Sequence, residues 1–261
     1  MDIVLDKSYL QAASTGKIQS LCLENNVLMP ESLLYELLTT TFNEERTACF
    51  HKFPDTYDPV MLIPNVGTIL RYEVKNRVPC NPVSQLAIGK GGRFNKKLRN
   101  GDYILPKDKV DNWMKRIRDE IEEFKQHSVA VVHWFPLLAE NHHGQNTHII
   151  NDVLDAICND ENLIKRIYKE IRSPDFPERD SIDPDWMLFR WLQIHLFAAV
   201  EYIRRFGLNN SSDIMNSIEH DFLDIQYCIT GVQVGALASM DKRMINMFNR
   251  ICPNGLLICE R

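Results

Sequence analysis

Four short apolar runs, two near each end of the chain, constrain its fold more than any other feature: Ile3-Val4-Leu5, Val27-Leu28-Met29, Ala236–Met240 and Leu256-Leu257-Ile258. Such runs are too short for core helices and lack the alternation of a half-exposed strand. They read as strands buried on both faces, the signature of a parallel sheet. Helix-compatible stretches separate them. Ser8 to Asn25 follows the first run. Leu33, Leu34, Leu37 and Leu38 recur at helical spacing after Pro30, which stands where a first helical turn tolerates proline. Near the other end, Phe222, Ile225, Ile229 and Val232 line one face of a helix from about Asp213 to Val234. Lys242 to Asn249 forms a shorter helix, and Pro253-Asn254-Gly255 supplies the turn before the last strand. A β-α-β-α opening with a matching close implies an α/β fold built on a parallel sheet.

Between Phe42 and Asn210 the texture is mostly helical. Asp108 to Lys125 is amphipathic, with Val110, Trp113, Ile117, Ile121 and Phe124 on its apolar side. Thr147 to Ile157 and Asn162 to Ile171 read as two further helices. Pro184 to Phe206 reads as a longer one, with Asp183 as its cap and a broad buried face of Leu188, Trp191, Leu192, Leu196 and Val200. The proline-rich stretch Ser173 to Pro184 is the most linker-like segment. The expected organisation is a discontinuous core of residues 1–42 and 211–261, interrupted by a mainly helical insertion over 43–210.

An apolar share of 44% and a charged share of 25% match an ordinary soluble globular protein. No run approaches the roughly 18 to 20 apolar residues that span a bilayer. Asp2 and Asp6 flank the first apolar run, so no secretory signal is indicated. Seven scattered cysteines without a CxxC pair imply reduced thiols and a cytoplasmic setting. The net charge of −5 argues against coating nucleic acid by bulk electrostatics but leaves room for a local basic groove.

Parallel sheets gather functional groups at the carboxyl ends of their strands. Asp6 directly follows the first strand, and Asp241 directly follows the strand Ala236–Met240. Asp224 lies on the helix leading into that strand, with Asp221 three positions earlier on the same face. Glu36 lies in the second turn of the helix after Val27–Met29. Each has a commonplace reading alone: a helix cap or turn for Asp6, a solvated side chain for Glu36, a wet helix face for Asp221 and Asp224. Gathered together, they would repel one another unless a hard cation sat among them. Oxygen donors suit Mg²⁺ and Mn²⁺. Such a cation activates water and neutralises charge building on a phosphodiester.

Val4-Leu5-Asp6 resembles the opening strand and aspartate of PIN-like domains. Met29-Pro30-Glu31-Ser32-Leu33-Leu34-Tyr35-Glu36-Leu37-Leu38 is similar to their second strand and acidic helix. The block from His220-Asp221-Phe222-Leu223-Asp224-Ile225-Gln226-Tyr227 through Ala238-Ser239-Met240-Asp241 is similar to their late acidic motif. The resemblance covers the first 42 and last 50 or so residues. It implies a three-layer α/β/α core and metal-dependent hydrolysis of single-stranded nucleic acid, RNA ahead of DNA. Asp6, Glu36, Asp224 and Asp241 would be the Mg²⁺ or Mn²⁺ ligands or water activators, and Ser239 the small hydroxyl residue beside them. The stretch around Gly231 and Gly235 is one residue tighter than the family pattern, which leaves Asp221 and Asp224 both open as ligands. The insertion is also far longer than a minimal domain carries. An inhibitor protein or a second copy of the chain stays open as a partner; a membrane is not expected. The alternative is a degenerate PIN-like module that binds protein or RNA without cutting. A dinucleotide-binding fold is disfavoured, because the first strand lacks the GxGxxG turn.

Ile88 to Arg99 is glycine-rich and basic. Lys90, Arg93, Lys96, Lys97 and Arg99 are candidate phosphate contacts, with Phe94 available for stacking on a base. A plain exposed loop is the competing reading. His142, His143 and His148 lack partners at zinc-site spacing and read as surface histidines. Arg204-Arg205 and Lys115-Arg116-Ile117-Arg118 read as ordinary helix charge, with the lining of a groove as the lesser reading.

Overall fold

In the computed structural model, which describes residues 1–40, 43–56, 58–85, 94–138, 147–207 and 211–260, the four apolar runs become strands and a fifth strand joins them. These are β1 (Asp2–Leu5), β2 (Asn26–Pro30), β3 (Met61–Ile63), β4 (Ala236–Ala238) and β5 (Leu256–Ile258). They pair in parallel in the order β3-β2-β1-β4-β5. Ile3, Val4 and Leu5 are consecutive and all fully buried. Neighbouring strand residues point to opposite faces, so both faces of the sheet centre are covered.

The first crossover is two helices rather than the single one expected over Ser8–Asn25: α1 (Lys7–Ala12) and α2 (Thr15–Glu24). The break falls at Ser14, whose Oγ accepts from Lys17 N at 3.3 Å and starts α2 afresh. Pro30 closes β2 and precedes α3 (Glu31–Thr39) instead of occupying its first turn. After α4 (Asn43–His51) comes a further difference. β3 lies inside the segment expected as helical insertion, so the sheet is not confined to the two ends of the chain.

The helices α5 (Val66–Asn76), α6 (Pro82–Gln85), α7 (Lys96–Arg99), α8 (Lys107–Trp134), α9 (Thr147–Asn159), α10 (Glu161–Ile171) and α11 (Met187–Phe206) lead to α12 (Ser211–Val234), which packs on β1 and β4. α11 packs along α12, and its apolar face joins the sheet in one contiguous core. α11 begins three residues later than Pro184, because its first amides are capped from far away. The fully buried Glu73 carboxylate on α5 accepts from Met187 N at 2.8 Å and Leu188 N at 2.9 Å, as well as Cys80 N at 2.8 Å. Asp183 instead accepts from Asp185 N in the preceding turn.

α12 runs close above the sheet because residue 231 is glycine: a Cβ there would stand 3.1 Å from the Leu237 side chain. Gly235, at φ +76°, then turns the chain into β4. The last crossover is α13 (Lys242–Ile251). Among the described residues, no helix is long and apolar enough to cross a membrane.

Candidate active site

The strand order creates one crevice. β1 leads through α1 and α2 to β2 on one side, whereas β4 leads through α13 to β5 on the other. Between the carboxyl ends of β1 and β4 the crossovers depart in opposite directions, the position where open α/β sheets bind ligands. Asp6 and Asp241 are the residues that follow those two strand ends.

Asp6 is 1% exposed and is held by hydroxyls. Its Oδ2 accepts from Ser8 Oγ at 2.5 Å and from Ser239 Oγ at 2.6 Å, while Oδ1 accepts from Ser8 N at 3.3 Å as the cap of α1. The same two hydroxyls accept from Asp241 N, each at 3.1 Å, and so tie the two strand ends together. Burial raises the Asp6 pKa; the Ser239 and Ser8 hydrogen bonds oppose the rise and the charge of Asp241 adds to it. Asp241 caps α13, its Oδ1 accepting from Arg243 N at 2.7 Å and Met244 N at 3.1 Å.

Glu36 reaches the same end of the sheet from α3. Lys7 Nζ donates to its Oε1 at 2.7 Å, and the fully buried Tyr227 hydroxyl to its Oε2 at 2.5 Å. Tyr227 is three residues beyond Asp224 on α12, which places Asp224 beside this pair. The Asp224 carboxyl is pushed up to about 8, first by burial and then by the charges of Asp6, Asp241 and Glu36, with Arg243 opposing. Asp224 thus feels all three of the other candidate carboxylates.

Asp221 has a different role. Arg243 Nη1 donates to its Oδ2, Tyr202 OH donates to the same oxygen at 3.3 Å, and Arg205 Nη1 stands 3.8 Å away. Of the two aspartates left open by the sequence, Asp224 faces the crevice carboxylates and Asp221 anchors arginines. Arg243 Nη2 also lies 3.8 Å from Asp224 Oδ2 and 3.6 Å from Asp241 Oδ2.

Four side chains at this site carry no signal strong enough to be singled out from the sequence: Lys7, Ser8, Tyr227 and Arg243. Each stands within three residues of a candidate aspartate, and that adjacency is the signal that was available. Ser239, expected beside the site, is fully buried and in direct contact with Asp6.

Asp221, Asp224 and Asp241, but not Asp6 or Glu36, border a cleft of about 600 Å³ among α9, α11, α12 and α13, together with Arg204, Arg205, Lys242, Arg243 and Arg250. Arg204-Arg205, expected first as ordinary helix charge and second as the lining of a groove, lines this cleft. The basic stretch fares differently. Phe94 is 3% exposed and packs edge-on against Phe50 and Phe53, so its ring is not offered to a base. Arg99 donates to Phe53 O and Pro54 O. Lys96 and Lys97 are exposed on α7, while Lys90 and Arg93 lie outside the described residues, as do His142 and His143. His148 is exposed at the start of α9.

The donor set suits a hard cation in kind, since every candidate is a carboxylate and Asp224 is crowded by three others. In position, Lys7 and Arg243 supply the neutralising charge. Among the described residues, no three carboxylate, imidazole or thiol groups stand together as metal ligands would. No protein-family model matches the chain, and neither a curated protein nor a solved structure does.

Proposed function

We propose that the protein hydrolyses phosphodiester bonds in single-stranded nucleic acid, RNA ahead of DNA, with Mg²⁺ or Mn²⁺, on a PIN-like three-layer core. One observation carries the reading: Asp6 and Asp241 follow adjoining strand ends at the switch point, where Asp224, its pKa raised first by burial and then by the charges of Asp6, Asp241 and Glu36, borders a cleft lined by arginine and lysine. Acidic groups next to cationic ones suit a substrate that brings its own negative charge and needs a cation at the reacting phosphate. Asp6, Glu36, Asp224 and Asp241 are the residues that would hold a divalent cation, which would supply charge neutralisation and a polarised water. The chain's own groups do the rest. Asp224 can take a proton near neutral pH, Ser8 and Ser239 fix the Asp6 carboxylate, and Arg204, Arg205, Lys242 and Arg250 hold the strand by its phosphates. A cleft of about 600 Å³ falls within the range of small-ligand sites and suits a short stretch of one strand. The preference for RNA rests on the resemblance of the acidic blocks alone.

A second reading is favoured by the ion pairs. Lys7 on Glu36 and Arg243 on Asp221 neutralise the carboxylates within the fold, as a non-cutting binding module would tolerate. Cleavage of a panel of single-stranded RNAs, with Mn²⁺ and with chelator, separates the two. Mn²⁺-dependent cutting that disappears in Asp6→Asn and Asp224→Asn supports the enzyme. Salt-sensitive binding without cutting under any metal supports the module.

A further inference from the structure

We propose that a second cavity, on a different face of α12 from the acidic cleft, binds a small, flat, uncharged aromatic molecule through an amide-like edge that pairs with Gln226. This cavity has a volume of about 430 Å³ and is walled by α5, α8, α11 and α12. Its size falls within the range of small-molecule sites. Asp221 and Asp224 of α12 line the acidic cleft, whereas Phe222 and Gln226 line this one. The inference goes beyond the functional reading above and does not depend on it.

Gln226 is the residue that points to a ligand. It is 5% exposed and lies one turn after Phe222 on the face of α12 that borders the cavity. Its backbone carbonyl accepts from Thr230 Oγ1, but among the described residues no group hydrogen-bonds its side-chain amide. A buried amide left unpaired is costly, and native structures rarely keep one without a use. An amide presents a donor and an acceptor side by side, so its complement is another amide, a lactam or the edge of a heterocycle. The walls define the body of the ligand. Leu70, Val74 and Leu188 are aliphatic. Phe176, Trp191 and Phe222 offer rings, against which a flat aromatic molecule packs edge-on or offset. The charged residues at the border, Arg71 and Lys75 against Glu120 and Glu123, come as two of each sign, so no net charge selects an ion.

Three probes with one bicyclic skeleton separate these contributions: indole-3-carboxamide, indole-3-carboxylate and 3-methylindole, each titrated calorimetrically into the full chain. The carboxamide should bind saturably, and the other two about tenfold more weakly, the value of the lost pairing at Gln226. Gln226→Met keeps the length of the side chain and removes its amide. It should melt no lower than wild type, because no protein group loses a partner, and should bind the carboxamide and 3-methylindole equally. Leu70→Trp reduces the cavity and should weaken all three probes. Equal affinity of the wild type for the three probes, or no saturable binding of the carboxamide, would overturn the proposal. So would a carboxamide affinity unchanged in Gln226→Met or in Leu70→Trp. A Gln226→Met protein that melts lower would show the amide to be held within the fold, and would overturn it as well.

Discussion

The raised pKa of Asp224 makes stability a readout of the site without any substrate. Its carboxyl titrates near 8 in the folded chain, against an ordinary value near 3.8. The folded state therefore holds the proton more tightly than the unfolded state does. The stabilisation from this group is fully present below about pH 4 and drains away as pH rises towards 8. One proton corresponds to at most about 1.4 kcal/mol per pH unit. The side chain is 31% exposed, so water screens part of the effect, and a loss of about 2 to 3 kcal/mol over the whole span is the reasonable expectation. For a chain of this size that is roughly 5 to 10 °C in melting temperature. Asp224→Asn carries no charge at any pH and escapes the loss. In EDTA, the melting temperature of the variant minus that of the wild type should be smallest at pH 4 and should climb steadily to pH 8. Mn²⁺ at pH 7 should narrow the gap and release protons, seen as a binding heat that depends on buffer ionisation. Parallel curves for the two proteins from pH 4 to 8 would refute the claim that burial and the charges of Asp6, Asp241 and Glu36 raise the Asp224 pKa.

Asp241→Asn should abolish cleavage while leaving the melting temperature within a few degrees, because asparagine caps a helix about as well as aspartate; a half-active variant would remove Asp241 from the chemistry. Ser239→Ala should weaken activity by about tenfold and destabilise by about 1 to 2 kcal/mol, since Asp6 and the Asp241 amide both lose a buried partner, checked by rate and melting curve together. Replacing Arg204, Lys242 and Arg250 together by glutamine should lower the salt slope of single-strand binding by about 2, whereas the Lys96/Lys97 pair should leave it unchanged; the reverse pattern would move the substrate to the basic stretch. Glu73→Ala should cost about 3 to 6 kcal/mol, because it strands three buried amides at once, and urea unfolding would show it.

What was legible in the sequence was local. Ile3-Val4-Leu5 followed by Asp6, and Ala236–Met240 followed by Asp241, carry strand and strand-end signals within a few residues. The structure places both aspartates at the adjoining strand ends. What was missed depends on partners far along the chain. Met61–Ile63 is an apolar run between Pro59 and Pro64, short enough to be absorbed into a helical region, and only its pairing with β2 makes it a strand. The start of α11 is set by Glu73, more than a hundred residues earlier, so no capping rule applied to Asp183-Pro184 could locate it. Phe94 sits in a basic stretch, yet its ring is buried by Phe50 and Phe53 from α4 and the turn after it.

The segment expected as a mainly helical insertion supplies β3 to the sheet and α11 to the wall of the cleft. Tyr202 and Arg205 on α11 meet Asp221, the residue that also grips Arg243. Glu73 on α5 fixes the first turn of that helix by its carboxylate. A chain of contacts therefore runs from a buried carboxylate through the length of α11 to the guanidinium over the acidic cluster. The Glu73 carboxyl is itself pushed up to about 7 by burial, although three amides favour its charged form. The cost of burying that charge is offset only if all three amides stay in place. The start of α11, and with it the placing of Tyr202 and Arg205 against Asp221, is thus held from α5.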